Sequence, residues 1–350
     1  MPANFEIIGS GHYVPGRPYT NADMARVMTT TDEWIYQRSG IRQRHFAPQG
    51  IGSSELGFEA AKMAIADAKI DAKEIDYILF ATMTPEYTWP GSAPLLGTKL
   101  GLDGVPALDI RQQCAAMIFG LQLMEGLFTS GAAKTILFVG ADTHGGFMPW
   151  DDWDVINGKR EATEAERAKA DRHRAVAILF GDGAGALVLR KTDRDAGLRG
   201  VQVKSDGSVA EKLYIRGPSY RNKPCMDENT FKDELHIPYM EGKDVFKFAV
   251  KALPATARDL LRGANLATND VDWYLAHQAN LRINENVRDT LGVPIERMPM
   301  NIDRYGNTSA GTLPILIDEQ RRNGNLKQGH LTMLLALGAG FHWGGALWKM

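Results

Sequence analysis

Three apolar runs, at 78–81 (ILFA), 136–139 (ILFV) and 331–337 (LTMLLAL), are short and nearly free of polar residues. Runs of this length, without polar alternation, predict central strands covered on both faces. Between them, LGFEAAKMAIADAK, FKFAVKALPATARDLLRGA and the stretch carrying Met117, Leu121 and Met124 repeat their apolar positions at helical spacing. Strands alternating with helices predict an α/β architecture.

The same order of elements occurs twice. LGFEAAKMAIADAK precedes EIDYILFATMTP as FKFAVKALPATARDLLRGA precedes DVDWYLAHQAN. KLGLDGVPALDIRQQCAA is answered by TLGVPIERMPMNIDRYGNTSAG, and AKTILFVGAD by GHLTMLLALGAG. Each half closes on a glycine-rich turn and a strand, FGDGAGALVLRK and GAGFHWGGALWKM. Four matched elements in one order predict an internal duplication, with halves at 1–191 and 192–350. Two such halves packed about a pseudo-dyad would bring the turns at Cys114, His277 and Asn307 together.

Two stretches break the pattern. Residues 145–174 are polar, charged and tryptophan-containing, and Thr163 with Glu166 predicts a capping box opening a short helix. Residues 217–239, rich in proline, asparagine and charge, predict a long loop. Excursions of this size serve as lids or binding loops, or are tolerated surface insertions, and the pattern leaves both open.

Composition narrows the class. The 350 residues are 44% hydrophobic and 23% charged, a globular balance. A net charge of −2 argues against general nucleic-acid binding. The two cysteines, Cys114 and Cys225, lie in no CxxC or Cys/His cluster, so neither a disulfide framework nor a metal site is signalled. The chain goes straight into a strand-and-turn pattern, and no apolar run approaches the ~18 residues of a membrane span. The expectation is a soluble cytoplasmic protein without a membrane partner.

Three residues carry candidate chemistry. Cys114 falls where the extended VPALDI gives way to a helical run. Unpaired N–H groups and the positive end of the macrodipole at a helix start would lower its pKa and make it a nucleophile. A lone cysteine is otherwise more often a small buried apolar residue. His277, after the apolar 274–276, reads by itself as a structural hydrogen-bonder, and Asn307, in RYGNTSAG, as an ordinary turn residue.

Together the three match, in order and spacing, the catalytic motifs of the β-ketoacyl-ACP synthase III group of the thiolase superfamily, which this sequence closely resembles. The resemblance runs through TNADM, TTDEWIYQRSGIRQRHFA, FGDGAGALVL, EGKDVFKFAV, HQANLRI, DRYGNTSAG and GAGFHWGGAL. It implies a thiolase-like α/β fold, with two pseudo-symmetry-related halves packed as a layered αβαβα core. It also implies a ping-pong Claisen condensation with acyl-CoA and malonyl-acyl carrier protein as substrates, without metal or cofactor. Cys114 would carry the acyl group, and the N–H groups of Cys114 and Ala339 would form the oxyanion hole. His277 and Asn307 would stabilise the enolate left by decarboxylation. The family's GGGF run is GAGF here, with Ala339 in place of the middle glycine.

Further positions follow from the same resemblance. Thr30, Trp34, Arg38 and Arg174 would bind the adenine side of CoA, and Gly242, Phe246 and Asn280 the pantetheine. Trp89 would reach across a homodimer into the partner's acyl pocket. Lys247, Arg282 and Arg288 would dock the acidic carrier, although Asp289 stands where the family commonly has lysine. Other readings keep the fold: a pathway-specific synthase priming or joining acyl chains in polyketide metabolism, with 145–174 reshaping the tunnel, or a non-condensing acyltransferase. Head-to-head condensing relatives place a glutamate where Trp89 stands.

Overall fold

Thr135–Asp142 (TILFVGAD) is buried along its whole length, as a strand with neighbours on both sides and on both faces must be. It belongs to the first of two large sheets in the computed structural model, which describes residues 3–350. The strands of that sheet are β1 (Phe5–Tyr13), β2 (Tyr77–Ala81), β3 (Ala107–Ile110), β4 (Thr135–Asp142) and β5 (Gly183–Lys191). They lie in the order β1-β5-β4-β2-β3, antiparallel from β1 to β4 and parallel from β4 to β3.

The second sheet contains β6 (Gly197–Ser205), β7 (Trp273–Ala276), β8 (Leu331–Gly338) and β9 (His342–Lys349). Its order, β6-β9-β8-β7, repeats the first four positions of the first sheet, including the change from antiparallel to parallel pairing. The symmetry fails at one place. The stretch around MPMNI, expected to mirror β3, forms no strand. The Asn301 N–H donates instead to Oε1 of Gln278 at 3.2 Å.

The main helices are α1 (Asp32–Ser39), α2 (Ser53–Ala68), α3 (Ala116–Ser130), α4 (Glu164–Arg172), α5 (Gly242–Gly263), α6 (Leu281–Leu291) and α7 (Thr312–Arg322). α2 packs on β1 and β5, and α5 packs on β6, β8 and β9. Between the sheets lie α3, touching β2 and β4 on one side and β6, β8 and β9 on the other, and α7, touching β1, β5 and β7. The layers therefore run helix, sheet, helix, sheet, helix. A helix between two sheets must be apolar nearly all round, which is why α3 reads AMIFGLQLM. Leu79, Phe138 and Leu189 of the first sheet share one buried cluster with Leu275, Leu334 and Trp348 of the second, bridged by Met117, Leu121, Leu316 and Ile317.

The stretch 145–174 is neither a free lid nor a loose insertion. It buries Phe147, Met148, Trp150, Val155 and Ile156 in a cluster with Met24, Ile35, Phe46 and Phe180. Trp150 and Trp153 both meet Phe46 edge-on, at 6.1 and 5.2 Å between ring centroids. The expected capping box opens α4, with Thr163 N–H to Glu166 Oε2 at 2.8 Å and Glu166 N–H to Thr163 Oγ1 at 3.3 Å. The stretch 217–239 contains a short helix, Glu228–Lys232, and leads into Tyr239–Met240, which pairs with Leu213–Tyr214. The two excursions clasp each other. Glu234 binds the Arg172 guanidinium and lies 2.6 Å from Nε2 of His173, and the Arg172 contact holds its carboxyl down to about 2. Among the described residues no helix is long and apolar enough to cross a membrane.

Candidate active site

β3 ends at Ile110, and one tight turn, Gln113–Ala115, links it to α3. Cys114 is the middle residue of that turn. Its first backbone hydrogen bond runs from Ala115 N–H to Gln112 C=O at 3.0 Å, so the Cys114 N–H lies ahead of the first bonded donor. The hairpin between β8 and β9 comes down onto the same spot. A Cβ on Gly338 would lie 2.9 Å from the Cys114 nitrogen, so only glycine lets the hairpin approach. Ala339 follows and faces the same cavity as Cys114.

His277 leaves the end of β7, where its N–H donates to Leu335 C=O at 2.8 Å. Its Nδ1 is 2.6 Å from Thr312 Oγ1, while Nε2 is buried without a partner. Burial lowers its pKa to about 3, so the ring is neutral at physiological pH. Asn307 is fixed by backbone bonds on both sides: its N–H donates to Leu179 C=O at 2.8 Å, and its C=O accepts from Gly181 N–H at 3.1 Å. Its Oδ1 accepts from Ser309 N–H at 2.9 Å. The oxygen end of the amide is thereby occupied, and the NH2 end is left to Cys114 and the cavity.

The turn after Asn307 is tied to the loop after β2 by Asp142 at the end of β4, which is fully buried. One of its oxygens accepts from Thr82 Oγ1 at 2.9 Å and Met83 N–H at 2.7 Å, the other from Ala310 N–H at 3.0 Å. The approach is so close that a Cβ on Gly140 would lie 2.2 Å from the Ala310 carbonyl oxygen. Fully buried Arg44 supports the other side, donating to Asn21 Oδ1 at 2.8 Å and to Ile178 C=O at 3.0 Å. Burial brings its guanidinium down to about 9.

The Cys114 thiol corrects the expectation drawn from its position. Burial pushes its pKa up to about 12 and the charge of Asp142 adds to that, against smaller opposing contributions from Ser309 and Asn307. Its Sγ–H donates to Ser309 Oγ at 3.6 Å. Cys114 is half-buried at the cavity wall, so a thiolate here would lose part of its hydration to the surrounding protein, and one unpaired turn N–H does not replace that loss. Because only the thiolate is alkylated, the iodoacetamide rate at Cys114 of the free enzyme, followed by peptide mapping apart from Cys225, should climb about tenfold per pH unit from pH 6 to 10. A plateau reached within that range would show a thiol with an ordinary or lowered pKa.

Cys114, His277, Asn307 and Ala339 line one cavity of about 1060 Å³ that extends past Gly242, Phe246 and Asn280 to Trp34, Arg38, Lys247 and Arg282. Trp34 carries two guanidinium groups, Arg38 at 4.1 Å and Arg174 at 4.3 Å from its ring. Asn280 caps α6 and donates from Nδ2 to Arg38 C=O at 2.8 Å, tying the two halves at the cavity mouth. Thr30 is near this group in sequence but off the wall, its hydroxyl buried without a partner.

Other expected residues lie elsewhere. Arg288 does not line the cavity, and its guanidinium pairs with one oxygen of Asp289 at 2.8 and 2.9 Å. Trp89 stands 81% exposed on the loop after β2, away from the cavity of its own chain. The stretch 145–174 reaches this cavity only through Arg174, whose guanidinium lies over the Trp34 ring at its far end. The roof is built instead by Leu213, Tyr214, Ile215, Pro238 and Met240. Lys243, Arg111 and His342 also line the cavity, and His342 Nδ1 is 2.7 Å from Ser205 Oγ. Lys243 could have been read from its place beside Gly242; Arg111 and His342 carried no pattern. Among the described residues no group of three His, Cys, Asp or Glu side chains could hold a metal ion.

A layered α/β duplication with a half-buried cysteine, a neutral histidine and an oriented amide at the meeting of its halves defines a class: thiolase-fold enzymes that transfer acyl groups. Comparison with known proteins narrows it. Residues 108–207 match the family described as 3-oxoacyl-[acyl-carrier-protein (ACP)] synthase III, and residues 261–350 match its C-terminal part. A β-ketoacyl-[acyl-carrier-protein] synthase III of Paramagnetospirillum magneticum is 35% identical over 355 residues, covering 100% of both chains. The crystal structure of the Aquifex aeolicus 3-oxoacyl-[acyl-carrier-protein] synthase III superposes with a TM-score of 0.85 at 31% identity, covering 99% of this chain and 100% of that one. The priming β-ketosynthase of the R1128 polyketide pathway gives 0.83 at 28% identity, covering 100% and 98%. The chain belongs to the 3-oxoacyl-[acyl-carrier-protein] synthase III family.

Proposed function

We propose that this protein condenses an acyl group from acyl-CoA with malonyl-acyl carrier protein, releasing CoA and CO₂ and giving a β-ketoacyl-acyl carrier protein. The observation that carries this reading is the convergence of Cys114, the unpartnered Nε2 of His277 and the amide of Asn307 on one cavity whose far end is Trp34 under two arginines.

In the first half-reaction acyl-CoA enters with its adenine end at Trp34, Arg38 and Arg174 and its pantetheine along Gly242, Phe246 and Asn280. Sγ of Cys114 attacks the thioester carbon, and the N–H groups of Cys114 and Ala339 receive the developing oxyanion. CoA departs with the thiol's proton. The raised thiol pKa keeps the nucleophile protonated until a thioester occupies the site, which limits off-target alkylation. In the second half-reaction the malonyl thioester takes the place of CoA. Its C–CO₂ bond breaks, and the electron pair forms an enolate whose oxygen sits between His277 and Asn307. The enolate carbon then attacks the acyl carbonyl, and Cys114 leaves and regains a proton. Two neutral donors suit this step, because an enclosed site strengthens their bond to the enolate oxygen without a charge being buried first.

Carrier docking falls to Lys247 and Arg282, joined by Lys243, all on the wall of the mouth. Trp89 supports a homodimer in which each chain's exposed indole closes the partner's acyl pocket. A pathway-specific priming role is the second reading, favoured by the likeness to the R1128 priming enzyme. Initial-rate kinetics test the proposal. Parallel double-reciprocal lines, with CO₂ release dependent on acyl-CoA, are expected; intersecting lines or a product that retains the malonyl carboxylate would contradict it.

A further inference from the structure

The CoA path reaches Cys114 from Trp34 and Arg38 by way of Gly242, Phe246 and Asn280, but these residues do not complete the wall. Met83, on the loop after β2, and Arg111 and Gln113, between the end of β3 and Cys114, line the same cavity and belong to no part of that path. An acyl group carried on Sγ of Cys114 has left CoA, and these residues beside the nucleophile are the wall it meets. Met83 suits a plain hydrocarbon. The other two do not.

Gln113 is half-buried, and its Oε1 is closed off from solvent without a hydrogen-bond partner. A buried amide oxygen left unmatched destabilises the protein until something donates to it. The backbone of Gln113 sits at φ +47°, in the left-handed region where a residue other than glycine is strained. A large polar side chain kept in so costly a place, next to the nucleophile, is poised for a ligand to match it. Arg111 is exposed, and among the described residues its guanidinium has no ion pair and donates no hydrogen bond. Asp109, two residues earlier, is committed to the N–H groups of Ser92 and Ala93, at 2.7 and 3.2 Å. The charge of Arg111 is therefore free for a ligand.

An acceptor without a donor and a donor without an acceptor, two residues apart, are matched together by one group. That group is a hydroxyl, which accepts from Arg111 and donates to Gln113. A carboxylate would satisfy Arg111 but set its charge against the Gln113 oxygen, and a bare alkyl chain satisfies neither. We propose that Arg111 and Gln113 are specificity residues for the acyl group, selecting acyl-CoA donors that carry a hydroxyl on the first carbons of the chain. The proposal rests on the reading of Cys114 as the acyl carrier given above.

The test is single-turnover acylation of Cys114, followed by intact-protein mass, with butyryl-CoA, 2-hydroxybutyryl-CoA, 3-hydroxybutyryl-CoA and succinyl-CoA. At subsaturating concentration one of the hydroxylated donors should acylate the wild type at least about tenfold faster than butyryl-CoA, the scale of a hydroxyl matched in an enclosed site. The ratio of the two rates should fall towards one in Arg111→Met and in Gln113→Leu, and be largely kept in Arg111→Lys, which retains a charged donor. A merely structural effect slows both donors alike and leaves the ratio where it is, and the wild-type comparison needs no variant. Butyryl-CoA reacting as fast as either hydroxylated donor, succinyl-CoA outpacing both, or a ratio unmoved in Arg111→Met and Gln113→Leu overturns the proposal. Absence of an adduct from these and from longer acyl-CoAs would instead remove the role given to Cys114.

Discussion

Cys114→Ala is expected to abolish the acyl-enzyme. No acyl adduct should form from any acyl-CoA, and condensation should drop by on the order of 10⁵-fold or more, the scale on which loss of a covalent nucleophile acts. Acyl-CoA should still bind, because Trp34, Arg38 and Arg174 lie at the other end of the cavity and keep their stacked arrangement. The substitution removes one sulfur in contact with Ser309 and leaves Gly338 free to seat the hairpin, so the fold should be undisturbed. Intact-protein mass before and after incubation, with binding followed by tryptophan fluorescence, checks both halves of the statement. An adduct on the variant would place the nucleophile elsewhere.

Asn307→Ala should divide the reaction differently. Acylation of Cys114 is expected to persist, while condensation falls about 10²–10³-fold, the usual cost of removing one preorganised donor from a developing oxyanion. The reason is geometric. The Asn307 amide is held by Ser309 so that NH2, not oxygen, faces the reacting centre, and the first half-reaction calls instead on the N–H groups of Cys114 and Ala339. Its side chain also gives Cys114 a small stabilisation of the thiolate, so a modest slowing of acylation accompanies the larger effect. Equal losses in both half-reactions would mean that Asn307 shapes the site as a whole.

The layered fold was legible in the chain because its causes are local and repeated. Unbroken apolar runs gave β2, β4 and β8, helical spacing gave α2, α3 and α5, and their repetition in one order announced two sheets of the same design. Where a side-chain bond took the place of the ladder, as Gln278 does at Asn301 in the expected counterpart of β3, the reading failed. The burial of 145–174 was hidden for a related reason: its polar residues outnumber the few aromatics that anchor it to Phe46.

The site was legible as a set of positions but less so as an environment. Cys114, His277, Asn307 and Ala339 come together as their motifs implied. The thiol's raised pKa did not follow from sequence, since burial depends on the whole enclosure and not on the helix start alone. The pairing of Arg288 with the next residue, Asp289, is one that charge counting along a helix does not rank. Thr312, Ser309, Asp142 and Arg44 act by holding other groups, and residues of that kind carry no spacing of their own.

The central claim is that one cysteine carries the acyl group between two half-reactions in a single cavity. Intact-protein mass spectrometry tests it most directly, with the enzyme incubated first with acyl-CoA and then with malonyl-acyl carrier protein. The account predicts one acyl adduct, localised to Cys114 by peptide mapping, that disappears on addition of malonyl-acyl carrier protein as β-ketoacyl-acyl carrier protein and CO₂ appear. An adduct that malonyl-acyl carrier protein does not clear, or product formed with no adduct at any stage, would contradict it.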